Sequence, residues 1–429
     1  MLEIGDRVSS TTTWRYNRLI PAPVSAGWTG NGEQDAGVHR IHAYPARFPS
    51  FIVREAIEHA RAQGITVNRV ADIFCGSGTS SHEASAQNLE FWGCDINPVA
   101  TLIARVKSNR LDPAEFLESA ARITAGAQRA TATANLSACA SARLRPWFAA
   151  GQFDDLARLQ NAIMAEVGAG GDEAAAFACA FSAILKATSQ WRARSVKPAN
   201  DPAKYATSVV AAFDRQCRLM AAAWAGMPDT AALRPQIVHG DVLRIDLPTT
   251  GVDLIVTSPP YATSCEYADI HQLSALWLGF ADDHRDLRQG MIGTSGRRAN
   301  LSRAMEGLNA VGMQVVFSLF GSNRPAAEAL ATYFLDMQAV ARRCHALLRP
   351  GGMSVFVIGN TTMGGVRIDN ANHLVESLLD AGFVDLKVAK RELSNKPNTP
   401  YRGRDGRLSS HLAVTQAYAE EYIVMAHRR

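Results

Sequence analysis

The sequence predicts a doubly wound α/β fold, in which helices flank a mostly parallel sheet and a helical segment is inserted into the sheet pattern. Three observations support this prediction. A strand, a glycine-rich turn, a helix and a second strand follow one another between residues 67 and 94. Residues 111–235 are rich in alanine with helical periodicity, and strand patterns resume at residue 236. A βαβ pattern that stops and then resumes indicates one sheet carrying an insertion.

The elements can be assigned in order along the chain. Residues 1–40 show no sustained period and are expected to form an irregular arm. The βαβ region is predicted as a helix, strand, turn, helix and strand at Phe51–Arg61, Val67–Phe74, Cys75–Thr79, Ser80–Asn88 and Glu90–Cys94. Later strands are predicted at 236–238, 252–257, 353–358, 384–388 and 422–426. The predicted domains are the arm, an α/β domain formed by 41–110 and 236–429, and the insertion at 111–235.

The composition is that of a globular protein. The chain has 429 residues, of which 47% are hydrophobic and 20% charged, which excludes the disordered and coiled-coil classes. Its length suits one large domain with insertions, or two domains. The formal net charge of +4 is too small to identify a polyanionic partner without local basic clusters.

The sequence favours the cytoplasm. Residues 1–10 lack the order of a signal peptide, and the longest apolar stretch, Ala174–Leu185, is shorter than the roughly 20 residues that cross a bilayer. The seven cysteines contain no Cys-x-x-Cys pair, so neither a zinc site nor a disulfide framework is predicted. We expect a reducing compartment and no bound metal.

The first motif that indicates chemistry is the turn after the first strand, Asp72-Ile-Phe-Cys-Gly-Ser-Gly-Thr79. Its glycines, Gly76 and Gly78, let a ligand approach the backbone, and the next helix offers free N–H groups there. Asp95 ends the second strand, 23 residues after Asp72, where an acid can accept hydrogen bonds from ribose hydroxyls. Together these features predict a nucleoside-bearing cofactor. A turn without a ligand is the alternative, and Ser81 in place of a third glycine counts against a dinucleotide.

The second motif is Ser258-Pro-Pro-Tyr261 at the end of a predicted strand. The two prolines hold the backbone extended and fix the direction of its carbonyl groups. Ser258 Oγ and the Pro259 carbonyl could then accept the hydrogens of an exocyclic amino group, and Tyr261 could stack on a base removed from its duplex. The alternative is a strand terminator with Tyr261 in the core.

The two motifs together resemble those of S-adenosylmethionine-dependent DNA methyltransferases that act on exocyclic amino groups. Ser-Pro-Pro-Tyr is the form typical of the cytosine-N4 enzymes. His42–Pro49 resembles the family's cofactor-methionine segment, Tyr267–Gly279 its helix after the catalytic loop, and Leu348–Gly352 its turn before the fifth strand. Ile73 stands where the family usually has proline. The resemblance covers 39–109, 236–279 and, more weakly, the tail from 346.

The resemblance implies a methyltransferase-type Rossmann-like sheet with S-adenosyl-L-methionine as cofactor. It implies a catalytic role for Ser258, Pro259, Pro260 and Tyr261. In the cofactor site, it implies that residues 76–79 surround the methionine end, that Asp95 holds the ribose, that Ile96 packs on the adenine and that Asp241 contacts the adenine amino group. The full predicted cofactor set is His42, Tyr44, Pro45, Phe48, Asp72, Phe74, Gly76, Ser77, Gly78, Thr79, Asp95, Ile96 and Asp241.

Basic clusters point to nucleic acid. Residues 387–407 contain seven basic side chains, and those predicted to bind phosphates are Lys396, Arg402, Arg404 and Arg407. A solvated basic hairpin is the alternative. Weaker clusters lie at 191–197 and 297–303. The insertion at 111–235 is the first candidate for the target-recognition region, and 281–345 is the second.

The function predicted from the sequence is site-specific methylation of cytosine N4 in double-stranded DNA, within a restriction-modification or related system. A cognate restriction endonuclease is a possible partner in such a system, and the sequence does not identify one. Cytosine-C5 chemistry is disfavoured because the sequence has no Pro-Cys step for a covalent nucleophile. Adenine-N6 or RNA-base methylation needs only a differently shaped pocket and stays open. So do a catalytically silent nucleic-acid-binding protein and, less well supported, a nucleotide-dependent oxidoreductase.

Overall fold

The computed structural model contains one large sheet with helices on both faces. It describes residues 2–3, 28, 37–45, 47, 49–193, 195–227, 233–262, 266–294, 297–298, 300–392, 401–402, 408–409, 415–416 and 420–429. The strands are β1 Leu2–Glu3, β2 Arg69–Asp72, β3 Glu90–Asp95, β4 Gln236–His239, β5 Val252–Thr257, β6 Leu348–Gly359, β7 Thr361–Met363, β8 Val366–Ile368, β9 Val384–Glu392, β10 Tyr401–Arg402, β11 Leu408–Ser409, β12 Thr415–Gln416 and β13 Glu420–His427.

The helices lie between these strands and, most densely, between β3 and β4. They are α1 Ser50–Ala62, α2 Thr79–Ala86, α3 Pro98–Ser108, α4 Pro113–Ala127, α5 Ala138–Leu144, α6 Ala150–Val167, α7 Gly171–Thr188, α8 Val209–Ala225, α9 Tyr267–Ile270, α10 Gln272–Trp277, α11 Leu301–Gly307, α12 Ala310–Phe320, α13 Arg324–Leu347 and α14 Asn370–Asp380. Within the described part of the chain, no helix combines the length and hydrophobicity needed to cross a membrane.

The large sheet has the strand order β1-β9-β13-β6-β5-β2-β3-β4. Strands β4, β3, β2, β5 and β6 are parallel, and β13 runs antiparallel between β6 and β9. This confirms the predicted doubly wound, mostly parallel Rossmann-like sheet of the methyltransferase type. The chain adds strands on one side of β2 as far as β4 and then crosses to the other side with β5. Ligands bind doubly wound sheets at such a switch point.

Alternation along the central strands explains why both faces are covered. In β6, Val355 and Val357 join the apolar cluster that includes α1, whereas Phe356 and Ile358 join the cluster that includes α13. Successive side chains of a strand point to opposite faces, so a run of apolar residues buries both. The same holds for β5, which is buried throughout.

Several strand boundaries differ from the prediction, and two of the differences have a visible cause. The apolar run suggested a strand over 67–74, but β2 ends at Asp72 because the Asp72 side chain accepts a hydrogen bond from the Phe74 backbone N–H and bends the chain. Conversely, β6 begins five residues earlier than predicted, because Leu348 pairs with Val252 across a register shift. The hydrophobic pattern of a short segment does not show such side-chain hydrogen bonds or distant pairing partners, so it could not predict these two boundaries.

The segment 111–235 contains helices α4 to α8, in keeping with the predicted helical insertion. Their apolar faces belong to one cluster that also includes Ile103 of α3 and Leu276 and Trp277 of α10. The insertion therefore packs tightly on the surrounding chain. Its assignment as a separate domain stays a prediction.

Candidate active site

A cleft opens at the carboxyl edge of the sheet, where β2 and β5 lie side by side. Its volume is about 950 Å³, counting the solvent-open mouth. The loops after β2, β3, β4 and β5 all contribute to its wall, as expected for a ligand site at a switch point. The predicted site residues that line it are Tyr44, Phe74, Gly76, Ser77, Thr79, Asp95, Ile96, Asp241, Ser258 and Pro260.

The glycine turn follows β2 and precedes α2. Gly76 has φ +48° and Gly78 has φ +78°, in the left-handed region that favours glycine. A Cβ on Gly78 would lie 2.9 Å from the Cα of Ala104, so this glycine allows the turn to pack on α3. Gly76 lines the cleft beside the ring of Tyr44. The absence of a side chain at Gly78 thus lets the turn pack on α3, and its absence at Gly76 leaves room for a ligand in the cleft.

Asp95, at the end of β3, connects two loops of the cleft. Its Oδ2 accepts a hydrogen bond of 2.9 Å from the Gly76 backbone N–H, and its Oδ1 accepts one of 2.9 Å from the Asn97 backbone N–H. Burial raises the pKa of Asp95, and these two hydrogen bonds oppose the rise. Each carboxylate oxygen has a second lone pair, so Asp95 can still accept from a ligand hydroxyl.

Asp72 is buried and does not line the cleft, and its role at a cofactor stays a prediction. Its Oδ1 accepts from the Phe74 N–H at 3.1 Å and from Thr257 Oγ1 at 2.7 Å, and its Oδ2 accepts from Ser80 Oγ at 2.7 Å. Burial raises the pKa of Asp72 to about 6. One carboxylate therefore joins the glycine turn, the start of α2 and the residue that precedes Ser258.

The segment around His42 is only partly in the cleft. Tyr44 lines it, but His42 is buried against α7, with its Nε2 2.9 Å from Ser182 Oγ and its Nδ1 2.8 Å from the Ala43 carbonyl. Burial lowers the pKa of His42 to about 4, so its imidazole is neutral at pH 7. Pro45 does not line the cleft either. Phe48 lies outside the described residues.

The loop after β5 brings Ser258 into the cleft. The Ser258 hydroxyl donates to the Val357 carbonyl at 3.1 Å, and its side chain is also hydrogen-bonded to Tyr261. A hydroxyl oxygen has two lone pairs, so Ser258 can still accept a hydrogen bond from a ligand. Pro260 lines the cleft, whereas Pro259 is buried and absent from the lining. The extended Pro-Pro step thus ends β5 and turns the chain along the cleft wall.

Tyr261 does not line the cleft, although its side chain is hydrogen-bonded to that of Ser258, which does. Its hydroxyl donates to Glu421 Oε1 at 3.4 Å, and its ring packs against the apolar cluster around α13. Glu421 in turn lies 3.3 Å from Arg391. Burial and the Glu421 carboxylate raise the pKa of Tyr261 well above its usual value. The ring is partly buried, as in the alternative placement of Tyr261 in the core, and its role as a stacking face stays a prediction.

Twelve of the cleft-lining residues were not among the predicted site residues, and they include Arg47, Glu266, Tyr267 and Thr294. The Tyr267 ring is stacked on Tyr44 with centroids 6.1 Å apart, and Glu266 Oε2 accepts from Thr294 Oγ1 at 3.1 Å. Arg47 and Tyr267 lie in segments that carry the family resemblance, so a signal for them existed. Glu266 and Thr294 come from loops that no sequence motif marks.

A buried polar cluster lies on the other side of α2. His39, His82 and Glu83 hold possible metal-ligating atoms within 4.8 Å of one another. Glu83 already accepts a hydrogen bond of 2.9 Å from Arg54 and lies 3.3 Å from His39 Nε2. Because cationic Arg54 occupies the carboxylate, the cluster is explained as a buried ion-pair network.

The predicted phosphate contacts fall mainly outside the described residues. Lys396, Arg404 and Arg407 are among those not described, and Arg402 is described only as part of the backbone of β10. In the weaker cluster at 297–303, Arg297 forms an ion pair of 2.6 Å with Asp336, which occupies it within the fold.

Comparisons with known proteins give distant similarities to methyltransferases. The chain is 23% identical over 401 residues to the Type II methyltransferase M.MvaI of Kocuria varians, covering 87% of this chain and 88% of the relative. Among solved structures, a TehB-like SAM-dependent methyltransferase from Corynebacterium glutamicum is 10% identical, covers 93% of this chain and 90% of its own, and has a TM-score of 0.28. The rRNA methyltransferase aviRa from Streptomyces viridochromogenes is 12% identical, covers 90% and 88%, and has a TM-score of 0.29. TM-scores this low carry no argument. No protein-family model matches the sequence.

Proposed function

We propose that this protein is an S-adenosyl-L-methionine-dependent DNA methyltransferase that methylates the N4 amino group of cytosine in a short duplex sequence. The observation that carries the proposal is the shared cleft, onto which the glycine turn, Asp95 and Ser258 all open at the switch point of the sheet. A methyl donor bound along the first two and an amino group held at the third would meet there. The relative named a type II methyltransferase supports methyl transfer. The restriction-modification setting and the cognate endonuclease belong to this proposal.

The cofactor is S-adenosyl-L-methionine, and the cleft residues fit its parts. Asp95 would accept from the ribose hydroxyls, Ile96 would pack on the adenine, and Asp241 would accept from the adenine amino group. A Cβ on Gly290 would lie 2.8 Å from Ile96 Cδ1 and 3.5 Å from an Asp241 oxygen, so bare backbone borders both residues. The methionine end would lie along Tyr44, Gly76, Ser77 and Thr79. The bound cofactor supplies an electrophilic methyl group, so the protein mainly aligns the reactants and needs no strong general base.

Ser258 would act on the acceptor. An exocyclic amino nitrogen is a poor nucleophile because its lone pair is delocalised into the ring, and acceptors aimed at its hydrogens favour the tetrahedral nitrogen that attacks. The Ser258 hydroxyl donates to the Val357 carbonyl, so its oxygen would accept one amino hydrogen, and the Pro259 carbonyl would accept the other. After attack the nitrogen, made acidic by its positive charge, loses its proton to water. The target base must leave the duplex to reach this cleft.

The test is the chemical identity of the product. Unmethylated duplex DNA is incubated with the protein and labelled S-adenosylmethionine, and its nucleosides are separated by mass spectrometry. The proposal expects N4-methylcytosine. N6-methyladenine, or transfer to RNA alone, would replace it with the corresponding alternative, and C5-methylcytosine would exclude the non-covalent mechanism. Cofactor binding without any product would indicate a silent relative of the fold.

A further inference from the structure

A long connection in the insertion presents basic and aromatic side chains to solvent. This connection is the 189–208 loop. It joins α7, which ends at Thr188, to α8, which begins at Val209. It contains four basic residues and one acidic residue. Connections of this length without secondary structure are uncommon in compact domains and are usually functional when they are ordered.

The direction of α7 places this loop at the carboxyl edge of the sheet, beside the cleft. Helix α3 starts at that edge and ends near Asn109, whose side chain donates to Asp172 at the start of α7. The two helices therefore run antiparallel, and α7 returns toward the edge. Six residues before its end, Ser182 reaches His42 and Ser274, next to the segments that supply Tyr44 and Tyr267 to the cleft.

Hydrogen bonds and a buried aromatic pair anchor several described residues of the loop. Trp191 is buried and its ring lies 5.2 Å from that of Trp147. The Gln190 N–H donates to the Trp147 carbonyl at 2.7 Å, and the Arg192 N–H donates to the Ala199 carbonyl at 2.8 Å. Lys204 Nζ donates to the Ser189 carbonyl at 2.7 Å. Each of these hydrogen bonds joins a loop residue either to another loop residue or to Trp147, outside the loop.

The side chains that this frame leaves outside are of the kind that contacts nucleic acid. Arg192 and Lys197 are exposed, and the Tyr205 side chain is 96% exposed although its neighbour Lys204 is anchored. The exposed Tyr205 ring would bury its apolar surface if a partner covered it, and this burial would stabilise the complex. Exposed cations in the same loop match the charge of the phosphates that flank a base. Arg194 lies outside the described residues.

We propose that the 189–208 loop is a contact surface for duplex DNA beside the cleft, with Arg192 and Lys197 on phosphates and Tyr205 against bases near the target. This inference rests on the proposed function, because it takes DNA as the substrate. It assigns one defined surface within the insertion, where the sequence indicated only a region of 125 residues.

The phosphate contacts are tested by the salt dependence of binding. Affinity for a fluorescent 30-base-pair duplex is measured by anisotropy from 50 to 300 mM salt, with the cofactor product S-adenosylhomocysteine present. The double variant Arg192→Ala with Lys197→Ala should reduce the slope of log K against log salt by about 2, since each phosphate contact contributes about 0.9. Arg218→Ala is the matched control. Arg218 lies in α8 outside the loop, its side chain is 71% exposed, and it forms an ion pair with Asp214 of the same helix. An unchanged slope in the double variant, or an equal change in the control, would overturn the proposal.

Tyr205 is tested with the same duplex and with methylation of unmethylated plasmid DNA. Tyr205→Ala should weaken DNA binding by about 5- to 100-fold through lost stacking, and Tyr205→Trp should retain it. Cofactor binding should be the same in all variants. Equal DNA binding by the wild type and Tyr205→Ala would remove Tyr205 from the interface. If the wild type binds cofactor but no DNA, the proposed function fails together with the loop, and loop-dependent binding of a hairpin RNA alone would assign the surface to RNA.

Discussion

Asp95 is the residue on which cofactor affinity should depend most. It is the charged acceptor at the end of β3, and its carboxylate also fixes the Gly76 and Asn97 backbones. We expect Asp95→Ala to weaken S-adenosylmethionine binding by about 1.5 to 3 kcal/mol, because the ribose hydroxyls would be buried without their acceptor. Isothermal calorimetry measures this, with Asp246→Ala on the exposed loop after β4 as the control. Unchanged affinity in a folded Asp95→Ala protein would exclude Asp95 from the site.

Ser258 should govern the rate of transfer rather than binding. Ser258→Ala removes one acceptor for the amino hydrogens while leaving the Pro-Pro step and the cleft wall intact. We expect single-turnover methylation to slow by about tenfold to a thousandfold, with cofactor and DNA affinities within twofold of the wild type as a rough bound. Ser318→Ala, on the exposed face of α12, is the matched control. A rate equal to that of the wild type would show that Ser258 makes no transition-state contact.

Asp72 should make stability depend on pH. Its pKa is about 6 in the folded protein, above the ordinary aspartate value of 3.8, so its contribution to stability is full below about pH 4 and is lost as the pH rises through 6. From pH 4.5 to 7.5 this loss is about 2 kcal/mol of the free energy of unfolding. The side chain in Asp72→Asn cannot titrate. The free energy of unfolding of this variant, minus that of the wild type, should therefore rise by about 2 kcal/mol from pH 4.5 to 7.5. Urea denaturation at the two pH values measures the difference, and a parallel pH dependence in both proteins would contradict it.

At the scale of elements, the glycine turn packs against α3, and Gly78 lies at the point of contact. A Cβ there would lie 2.9 Å from Ala104 Cα, whereas a Cβ on Gly64, at the similar φ of +83°, would meet nothing within 4 Å. Gly64→Ala should therefore cost only the strain of a left-handed residue, about 1 to 2 kcal/mol. Gly78→Ala should cost about 1 to 3 kcal/mol more, because the turn must also move off α3. Equal losses in urea denaturation would mean that the turn does not need this contact.

The elements show what the sequence could and could not predict. The βαβ unit was predictable because its strands, glycines and Asp95 follow one another within about 30 residues. The directions of Asp72 and Tyr261 were not, because they depend on Thr257 and Glu421, which are 185 and 160 residues away in the chain. A short motif identifies the residues that may meet in a cleft, but distant hydrogen bonds decide which of them face it.

At the scale of the whole molecule, the shared core limits how the insertion can be tested. Because α4 to α8 pack with Ile103, Leu276 and Trp277 in one cluster, replacing 111–235 as a block would disturb the helices that support the cleft. An altered methylation pattern would then be hard to attribute to sequence recognition. Changes confined to exposed side chains of the insertion leave this core intact and are the better test of its proposed role.

The basic tail is expected to add affinity without adding sequence preference. Arg402 and Arg404 belong to the 387–407 segment that was predicted to bind phosphates, and phosphate contacts position DNA without identifying its bases. Arg402→Ala with Arg404→Ala should therefore weaken binding to target and unrelated duplexes by the same factor and lower the salt slope by about 2. Anisotropy titrations with both duplexes measure the ratio of the two affinities, and Arg324→Ala, at an exposed ion pair on α13, is the control. A selective loss for the target duplex would instead mean that the tail reads bases, and it would transfer part of the recognition role from the insertion to the end of the chain.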